Sequence, residues 1–284
     1  TYDEIFVKDL LPGQLILTDI GPYAVVSISN SGIFENMYDL GVNSNDHRFY
    51  SNLNQKPTSK AVMRIISEIS SFKTGLPLNW DSSVWVRVSK KHMNAFSFFI
   101  SGPKDTPYEN GCFIFHIFVP NTFPNTPPIV KIVTTGEGTV RFNPNLYANG
   151  KVCLSLLGTW KGDPSESWNN SSTILQVLIS IQSLIFIGQP YFNEPGYEKY
   201  MKDAHYKELS RKYNEEKQYN TIKLAMNGML TNPTPGFEDI INELMQGGLG
   251  AGELGVVVAP AGIGKSWVLS AMGAYAISQG LNVV

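Results

Sequence analysis

The segment NPNLYANGKVCLSLLGTW, residues 143–160, holds side chains suited to covalent chemistry. Cys153 stands among turn-forming residues, and a thiolate in a partly exposed turn can act as a nucleophile and carry an acyl group. When an amine attacks a thioester an oxyanion forms, and the side-chain amide of Asn145, eight residues earlier, is a suitable donor to it. No histidine lies close in sequence to act as general base. The residues alone leave two interpretations, a buried structural cysteine or an acyl-carrying nucleophile.

A second segment with chemical potential is AxxxxGKS, residues 259–266, a variant of the P-loop that follows the apolar run GVVVAP and precedes a helical pattern. In such a loop backbone amides cradle phosphates, Lys265 contacts the terminal phosphates, and Ser266 holds magnesium after Gly264. Only 18 residues follow Ser266, and no apolar strand ending in Asp follows to hold the metal. The segment therefore predicts weak ATP and magnesium binding without hydrolysis.

The remaining thiol and imidazoles predict no further chemistry. Cys112 lies within the apolar run CFIFHIFVP and is interpreted as a core thiol. His92 and His116 have no metal-ligand spacing with either cysteine, so no metal site is predicted. Two cysteines make neither a disulfide framework nor a four-cysteine zinc site, which favours a reducing compartment, the cytoplasm or the nucleus.

Composition excludes several classes of protein. Of 284 residues, 43% are hydrophobic and 16% charged, enough to build a core, and the formal net charge of -2 argues against nucleic acid as a partner. The opening TYDEIFVKDL has no signal-peptide pattern. The longest apolar run, LQVLISIQSLIFI, has 13 residues, too few to span a bilayer. No membrane partner is expected.

Three blocks of the sequence differ in composition and hydrophobic pattern, and the predicted domains are 1–54, 55–245 and 246–284. The first block predicts two strands joined at Ile20-Gly21-Pro22, and a second pair in NMYDLGV and HRFYS. In the second block, TSKAVMRIISEISSFK predicts a helix with Thr58 or Ser59 as N-cap. Its apolar stripe is Val62, Ile65, Ile66, Ile69 and Phe72.

The second block continues with the pattern of an antiparallel meander. The runs SVWVRVS, AFSFFISGP, CFIFHIFVP and IVKIVTT are separated by turn-rich spacers and predict its strands. STILQVLISIQSLIFI then predicts a buried helix, and two polar-faced helices are expected from about 196 to 245. The expected fold class is α+β, with a small β-rich piece before the meander and a partial α/β P-loop segment after it.

Several motifs, taken in order, give residues 57–245 a family resemblance. SGPKDTPYENGCFIFHIFVP and TFPNTPPIVKIVT are followed by the asparagine-bearing loop and a Cys-Leu pair. This set resembles the ubiquitin-conjugating enzymes. Within them it is most similar to the large hybrid conjugating enzyme–ligases of the Apollon (BRUCE) type, which share NPNLY, GKVCLSLL, the acidic insert and PYFNEPGYE.

The resemblance implies roles for particular residues. Cys153 would receive ubiquitin, or a ubiquitin-like protein, as a thioester from an activating enzyme and pass it to a substrate lysine. Asn145 would stabilise the oxyanion or hold the loop, while Asn143 stands where the family usually has the His of His-Pro-Asn. Glu194, in FNEP, would orient the incoming amine, although it equally fits a solvated charge, and Asn193 is a weaker candidate. The transfer needs no cofactor, since ATP is used by the activating enzyme.

The resemblance also implies partner surfaces. In the family a ligase or the activating enzyme contacts the loop at residues 157–170 and the FPNTP loop. Phe123 is a candidate ligase contact, although a Phe beside Pro is as often packed inward. Trp160 and Trp168 are candidate contacts or half-buried anchors of the insert. Because the insert is longer than in a minimal conjugating enzyme, transfer without a separate ligase is a second expectation.

The flanking blocks resemble other families. Residues 1–54 are similar to the end of a Hint (intein-type) domain, although Thr1 and NLNQKP stand where splicing needs other residues, and a small β packing module is the alternative. Residues 246–284 are similar to the start of a RecA-like ATPase. The alternative functions are a catalytically weak conjugating-enzyme-like binding module, or a fragment of an intein-interrupted RecA-like ATPase.

Overall fold

A computed structural model describes residues 15–18, 21–24, 47–79, 82–89 and 92–245. The first strands, β1 (Leu15–Thr18) and β2 (Gly21–Ala24), pair antiparallel as predicted. Gly21 and Pro22 were predicted to join them but belong to β2, where they pair with Thr18 and Leu17. The predicted strand NMYDLGV and the P-loop segment 246–284 lie outside the described residues.

Residues 47–53 contact the central sheet and are not a strand. The prediction of a strand in HRFYS was wrong, because a turn leads into a 3-10 helix at Tyr50–Asn52. The ring of His47 stacks on that of His116 with centroids 4.3 Å apart, and Phe49 and Leu53 are buried against the sheet. The last residues of the predicted N-terminal block therefore pack on the predicted conjugating domain.

The predicted antiparallel meander is confirmed. Its strands, in sheet order, are β3 (Leu78–Asn79), β4 (Ser82–Val88), β5 (Ala95–Ser101), β6 (Cys112–Phe118) and β7 (Ile129–Ile132), and each is antiparallel to the next. Successive side chains of a strand point to opposite faces, so a strand buried on both faces is apolar throughout. β6 is buried along its whole length and is apolar except for His116, whose ring stacks on that of His47.

Each face of the sheet has its own cover. One face, including Phe98 and Phe115, packs in the main core with the long helix that precedes the sheet. The other face carries Trp85 and Phe99, which pack against Phe237 of the C-terminal region. The buried Arg87 guanidinium pairs with Asp239 at 2.8 Å and ties that region to the sheet.

The described helices agree with the predicted ones. They are α1 (Ser59–Gly75), α2 (Ile174–Ser180), α3 (Ala204–Asn220), α4 (Met229–Thr231) and α5 (Glu238–Met245), with wider π-helical turns at Ile181–Ile185 after α2 and Thr221–Gly228 after α3. Thr58 caps α1, accepting a hydrogen bond from the Ala61 amide, and Thr173 and Gln176 form a capping box at α2. Within the described part of the chain, no helix combines the length and apolar character needed to cross a membrane.

The predicted apolar stripe of α1 is partly wrong. Ile66 is 48% exposed, whereas Glu68 is only 2% exposed. The Glu68 carboxylate pairs with Arg64 at 2.7 Å and accepts a hydrogen bond from the Ile174 amide at 2.9 Å. Both partners satisfy the buried charge, and a carboxylate is favourable at a helix N-terminus. Glu68 thereby links α1 to the start of α2, the helix that follows the cysteine segment.

Candidate active site

Cys153 and Asn145 lie side by side in what we call the cysteine loop, residues 141–157. The Cys153 amide donates to the Asn145 carbonyl at 2.9 Å, and the Asn145 side-chain amide donates to the Cys153 carbonyl, also at 2.9 Å. Two reciprocal bonds therefore hold the predicted nucleophile beside the predicted oxyanion donor. In this arrangement the Asn145 amide holds the loop in place.

Asn143 is the buried centre of the loop. Its side-chain oxygen accepts from the Asn145 amide at 2.8 Å, and its side-chain nitrogen donates to the Tyr108 hydroxyl at 3.0 Å and the Ile185 carbonyl at 2.8 Å. Tyr108 in turn donates to the Phe142 carbonyl at 2.9 Å. A fully bonded buried network fixes its members in one geometry. Asn143 was predicted to stand where the family usually has the His of His-Pro-Asn, whereas Tyr108 was not predicted, although the Thr-Pro-Tyr motif was the available signal.

The electrostatic setting of the Cys153 thiol combines burial with nearby cations. Cys153 is 2% exposed, and burial raises the pKa of its thiol, while the charges of Lys151 and Arg141 act in the opposite direction. Cys112 has no such cations, and burial raises its pKa to about 12. Cys112 is buried in β6, as its interpretation as a core thiol required. Burial therefore raises the pKa of both thiols, and only at Cys153 do nearby cations act to lower it.

Glu194 follows the 3-10 turn Pro190–Asn193 and lies opposite Arg141, with Nη2 and Oε2 3.5 Å apart and both side chains half-exposed. Arg141 also donates to the Pro144 carbonyl at 2.6 Å. The charge of Arg141 also acts to lower the pKa of the Cys153 thiol, so Glu194 pairs with a cation that influences the thiol. Sequence reasoning missed Arg141, because a lone arginine before a loop has no distinguishing pattern. Asn193 donates to the Leu184 carbonyl at 3.1 Å, which is a structural contact.

The segment 158–172, which we call the insert, carries the two tryptophans. Trp160 and Trp168 are half-buried, as expected of anchors. The indole of Trp168 donates to the Pro124 carbonyl at 2.7 Å, and its ring lies 5.7 Å from that of Phe123. Phe123 is 1% exposed, so its prediction as a ligase-facing residue is wrong for this structure: the ring packs inward beneath Trp168. Between residues 121 and 126 the exposed side chains are polar, namely Asn121, Thr122, Asn125 and Thr126, whereas Ile129 at the start of β7 is 47% exposed.

A groove of about 490 Å³ begins at Cys153 and Asn145. The cysteine loop forms one side, the insert a second, and α2 with the turn after it a third. More than half of the lining residues are serine, asparagine or glutamine, and apolar side chains, among them Leu156, Trp160 and Leu184, make up most of the rest. A groove with this lining suits an extended peptide, whose backbone amides and carbonyls need hydrogen-bond partners. The predicted P-loop residues Gly264, Lys265 and Ser266 lie outside the described residues.

Comparison with known proteins connects this geometry to one family. The ubiquitin-conjugating enzyme family model matches residues 64–224. The chain is 43% identical over 238 residues to a probable ubiquitin-conjugating enzyme E2 of Acanthamoeba polyphaga mimivirus, covering 81% of this chain and 16% of the relative. It is 44% identical over 207 residues to the dual E2 ubiquitin-conjugating enzyme/E3 ubiquitin-protein ligase BIRC6 of Homo sapiens, covering 72% of this chain and 4% of the relative.

A third relative and a solved structure extend the comparison. The chain is 47% identical over 180 residues to probable ubiquitin-conjugating enzyme protein 17 of Caenorhabditis elegans, covering 63% of this chain and 25% of the relative. These three relatives are thus much longer, and the chain spans between 4% and 25% of their length. An E2 domain of a Toxoplasma gondii ubiquitin conjugating enzyme aligns at 25% identity and a TM-score of 0.42, covering 58% of this chain and 98% of that one.

Proposed function

The chain belongs to the ubiquitin-conjugating enzyme family, and from this premise we propose that Cys153 carries ubiquitin, or a ubiquitin-like protein, as a thioester and passes it to a lysine amine. The observation that supports the proposal most directly is the pair of reciprocal 2.9 Å hydrogen bonds between Cys153 and Asn145 at the mouth of the groove. They place a thiol and an amide donor together where an extended C-terminal tail can lie.

In the charging step Cys153 loses its proton and attacks the carbonyl carbon of the thioester that the activating enzyme carries. The bond from that carbon to Cys153 Sγ forms, and the bond to the activating enzyme's cysteine breaks. The departing thiolate takes up a proton, so one thioester replaces another without net consumption of acid or base. The positive charges of Lys151 and Arg141 favour the attacking thiolate against the effect of burial.

In the transfer step a neutral lysine amine attacks the thioester carbon, a C–N bond forms, and the carbonyl oxygen becomes an oxyanion. The C–S bond then breaks, Cys153 leaves as a thiolate, and it takes up a proton that the attacking nitrogen gives up. Asn145 would donate to the oxyanion after releasing the Cys153 carbonyl, which its side chain holds in this structure. Glu194 would orient the amine from its position opposite Arg141.

The proposed partners are the carrier protein, an activating enzyme and substrate lysines. Transfer without a separate ligase is supported by the surface at residues 121–126, because Trp168 covers Phe123 and the exposed side chains of these six residues are polar. Ligase contacts through the 157–170 loop remain a second route. The relative named as a dual E2/E3 enzyme combines conjugation and ligation in one protein, which is consistent with the first route.

The proposal is tested by charging the purified chain with activating enzyme, ATP and ubiquitin. The wild-type chain should form an adduct that reducing agent removes, and Cys153→Ser should form one that resists reduction. Cys112→Ser serves as the matched control and should charge normally. A reducible adduct on Cys153→Ala would show that another residue is the acceptor, and a chain that accepts neither ubiquitin nor any ubiquitin-like protein would instead be a binding module.

We retain three further proposals for parts of the molecule beyond this chemistry. The first is that residues 1–54 are a Hint-like remnant. The second is that residues 246–284 are a P-loop segment, which binds ATP and magnesium weakly through Gly264, Lys265 and Ser266. The third is that the protein acts in the cytoplasm or nucleus. The resemblance in sequence motifs supports the first two. Equilibrium binding of a fluorescent ATP analogue to the wild-type chain and to Lys265→Ala tests the P-loop proposal. Equal affinities of the two proteins would refute the proposal.

A further inference from the structure

The insert contributes a charged wall to the groove at Cys153. Among the described residues that line the groove, Glu166 is the one that carries a carboxylate. The Cys153 thiol is the other ionisable group, and the remaining lining side chains are neutral. No cation of the described residues forms an ion pair with Glu166. Glu194 differs in this respect, because it pairs with Arg141. Glu166 is thus a groove carboxylate whose charge the described part of the chain leaves uncompensated by an ion pair.

Local turn geometry fixes where this carboxylate stands. Glu166 ends the short 3-10 turn Pro164–Glu166, which Asp163 caps by accepting from the Ser165 amide at 2.8 Å. The Glu166 amide donates to the Asp163 carbonyl at 2.9 Å. Such local hydrogen bonds hold a turn without contacts to distant elements. The insert can therefore present Glu166 from a structured turn.

Gly162 brings the turn onto the cysteine loop. A Cβ at this position would lie 2.0 Å from Ser155 Oγ and 2.5 Å from Glu166 Oε2. The absence of a side chain at Gly162 leaves the room in which the Glu166 carboxylate approaches Ser155, two residues after Cys153. The negative charge therefore lies close to Ser155, in the groove that Cys153 also lines.

The occupant of the groove follows from these features. If Cys153 forms a thioester, as the proposed function on which this inference rests requires, then the C-terminal segment of the carrier must lie in the groove with its last residue at the thiol. Because Cys153 is 2% exposed, that last residue must be small. The hydroxyl and amide lining satisfies an extended backbone, and the one lining carboxylate favours a cation near the end of the tail.

We propose that Glu166 is a specificity-determining residue, which selects carrier proteins whose C-terminal tail bears a basic side chain shortly before its small terminal residues. It acts on tail binding and orientation in the charging step, and it has no part in bond making at the carbonyl carbon. The length and sequence of the insert, which carries Glu166, then become determinants of which carrier the enzyme accepts.

The experiment uses the full chain and synthetic peptide thioesters, which avoid any tail preference of the activating enzyme. One peptide carries an arginine before two terminal glycines, and its partner carries citrulline, a neutral residue of nearly the same shape. Cys153 attacks the thioester carbon, the peptide's thiol leaves, and mass spectrometry follows the adduct. At low ionic strength the wild-type chain should react about two- to fivefold faster with the arginine peptide, the range expected of an exposed ion pair.

Variants identify the carboxylate that is responsible. Glu166→Gln should react equally with the two peptides, and Glu166→Lys should prefer citrulline. Glu198→Gln, which neutralises an exposed carboxylate on a different turn, should keep the wild-type preference, and high salt should reduce that preference. Gly162→Ala, which displaces Ser155 or Glu166, should weaken it while Cys153 remains reactive.

Two results separate this inference from the proposed function. If ubiquitin is charged on Cys153 by activating enzyme but the wild-type chain reacts alike with the two peptides, or with neither, the role of Glu166 is refuted and the proposed function stands. The same holds if Glu166→Gln keeps the full preference for arginine. If ubiquitin never reaches Cys153, the proposed function itself is refuted, whatever the peptides show.

Discussion

The cysteine loop and the insert are adjacent in the chain and line the same groove, yet they are held in different ways. Asn143 in the loop is fully buried and bonded to Tyr108 and Ile185, which lie 35 and 42 positions away. The middle of the insert relies on contacts two or three residues apart, such as those of Asp163. At its start Thr159 bonds to Val152 and Leu154 of the cysteine loop, and towards its end Trp168 and Arg64 tie it to more distant elements.

This difference matches the tasks proposed for the two regions. Atoms that take part in a reaction must keep their geometry, and buried networks with long-range bonds provide that. A wall that recognises a tail can be exposed and locally organised, because local bonds allow adjustment and the sequence there can change without damage to the core. Substitutions in the two regions should therefore have different consequences.

After Cys153 itself, the largest effect is expected from Asn145, the predicted oxyanion donor. Asn145→Ala should be charged with ubiquitin at nearly the wild-type rate, but it should discharge to free lysine about 10²–10³ times more slowly, the loss typical of a missing oxyanion donor. Single-turnover discharge of the preformed thioester measures this. Asn149→Ala, an exposed amide of the same loop, is the control. Equal losses in charging and discharge would assign Asn145 to holding the loop alone.

The next largest effect is expected on stability, where a substitution in the cysteine loop is compared with one in the insert. Asn143→Ala removes the acceptor of the Asn145 amide and the donor to the Tyr108 hydroxyl and the Ile185 carbonyl in a buried network, and should lower the free energy of unfolding by about 2–3 kcal/mol. Asn169→Ala removes an exposed amide of the insert that accepts from Ser171, and should cost about 0.5 kcal/mol or less. Urea denaturation followed by fluorescence gives both values. Similar costs would contradict the distinction between a globally and a locally held region.

A smaller effect is expected from the cations near the thiol. Burial raises the pKa of Cys153 and Lys151 lowers it, so Lys151→Met should raise the pKa further and leave less thiolate at neutral pH. Charging should slow by about two- to fivefold near pH 7, and the difference should shrink as the pH rises and both proteins become thiolates. Lys161→Met, in the insert, should follow the wild-type pH profile. A constant ratio at all pH values would mean that Lys151 acts by another route.

The smallest effect is expected from Glu194, which stands half-exposed opposite Arg141. If its carboxylate orients the incoming amine, Glu194→Ala should slow discharge to free lysine by a few fold, and most at lower pH, where less amine is deprotonated. Charging should not change, in contrast to Glu166→Gln, which is expected to change charging selectivity. Measuring discharge between pH 6 and 9 tests this. If the discharge rate falls by the same factor at every pH, Glu194 does not orient the amine and is a solvated surface charge.

Much of this protein was determined by its sequence. Alternating and helical patterns predicted the strands of the meander and the helices around it, because local backbone preferences and side-chain periodicity agree there. The ordered motifs around Cys153 and Asn145 predicted the family, and the spacing of the loop predicted that the two residues belong together. Thr58 was among the residues predicted to cap α1, because its hydroxyl can serve the first amides of the helix.

Tertiary structure decided the features that depend on contacts between residues far apart in the sequence. Ile66 and Glu68 exchanged their expected environments, since Arg64 and the start of α2 satisfy a buried carboxylate that periodicity alone would place in water. Phe123 turned inward because Trp168, 45 positions later, covers it. Asn143 became the centre of a network only through Tyr108 and Ile185, and the insert, which approaches Ser155 at Gly162, supplies one wall of the groove. Periodicity records the neighbours along a chain, whereas burial and hydrogen bonding depend on neighbours in space.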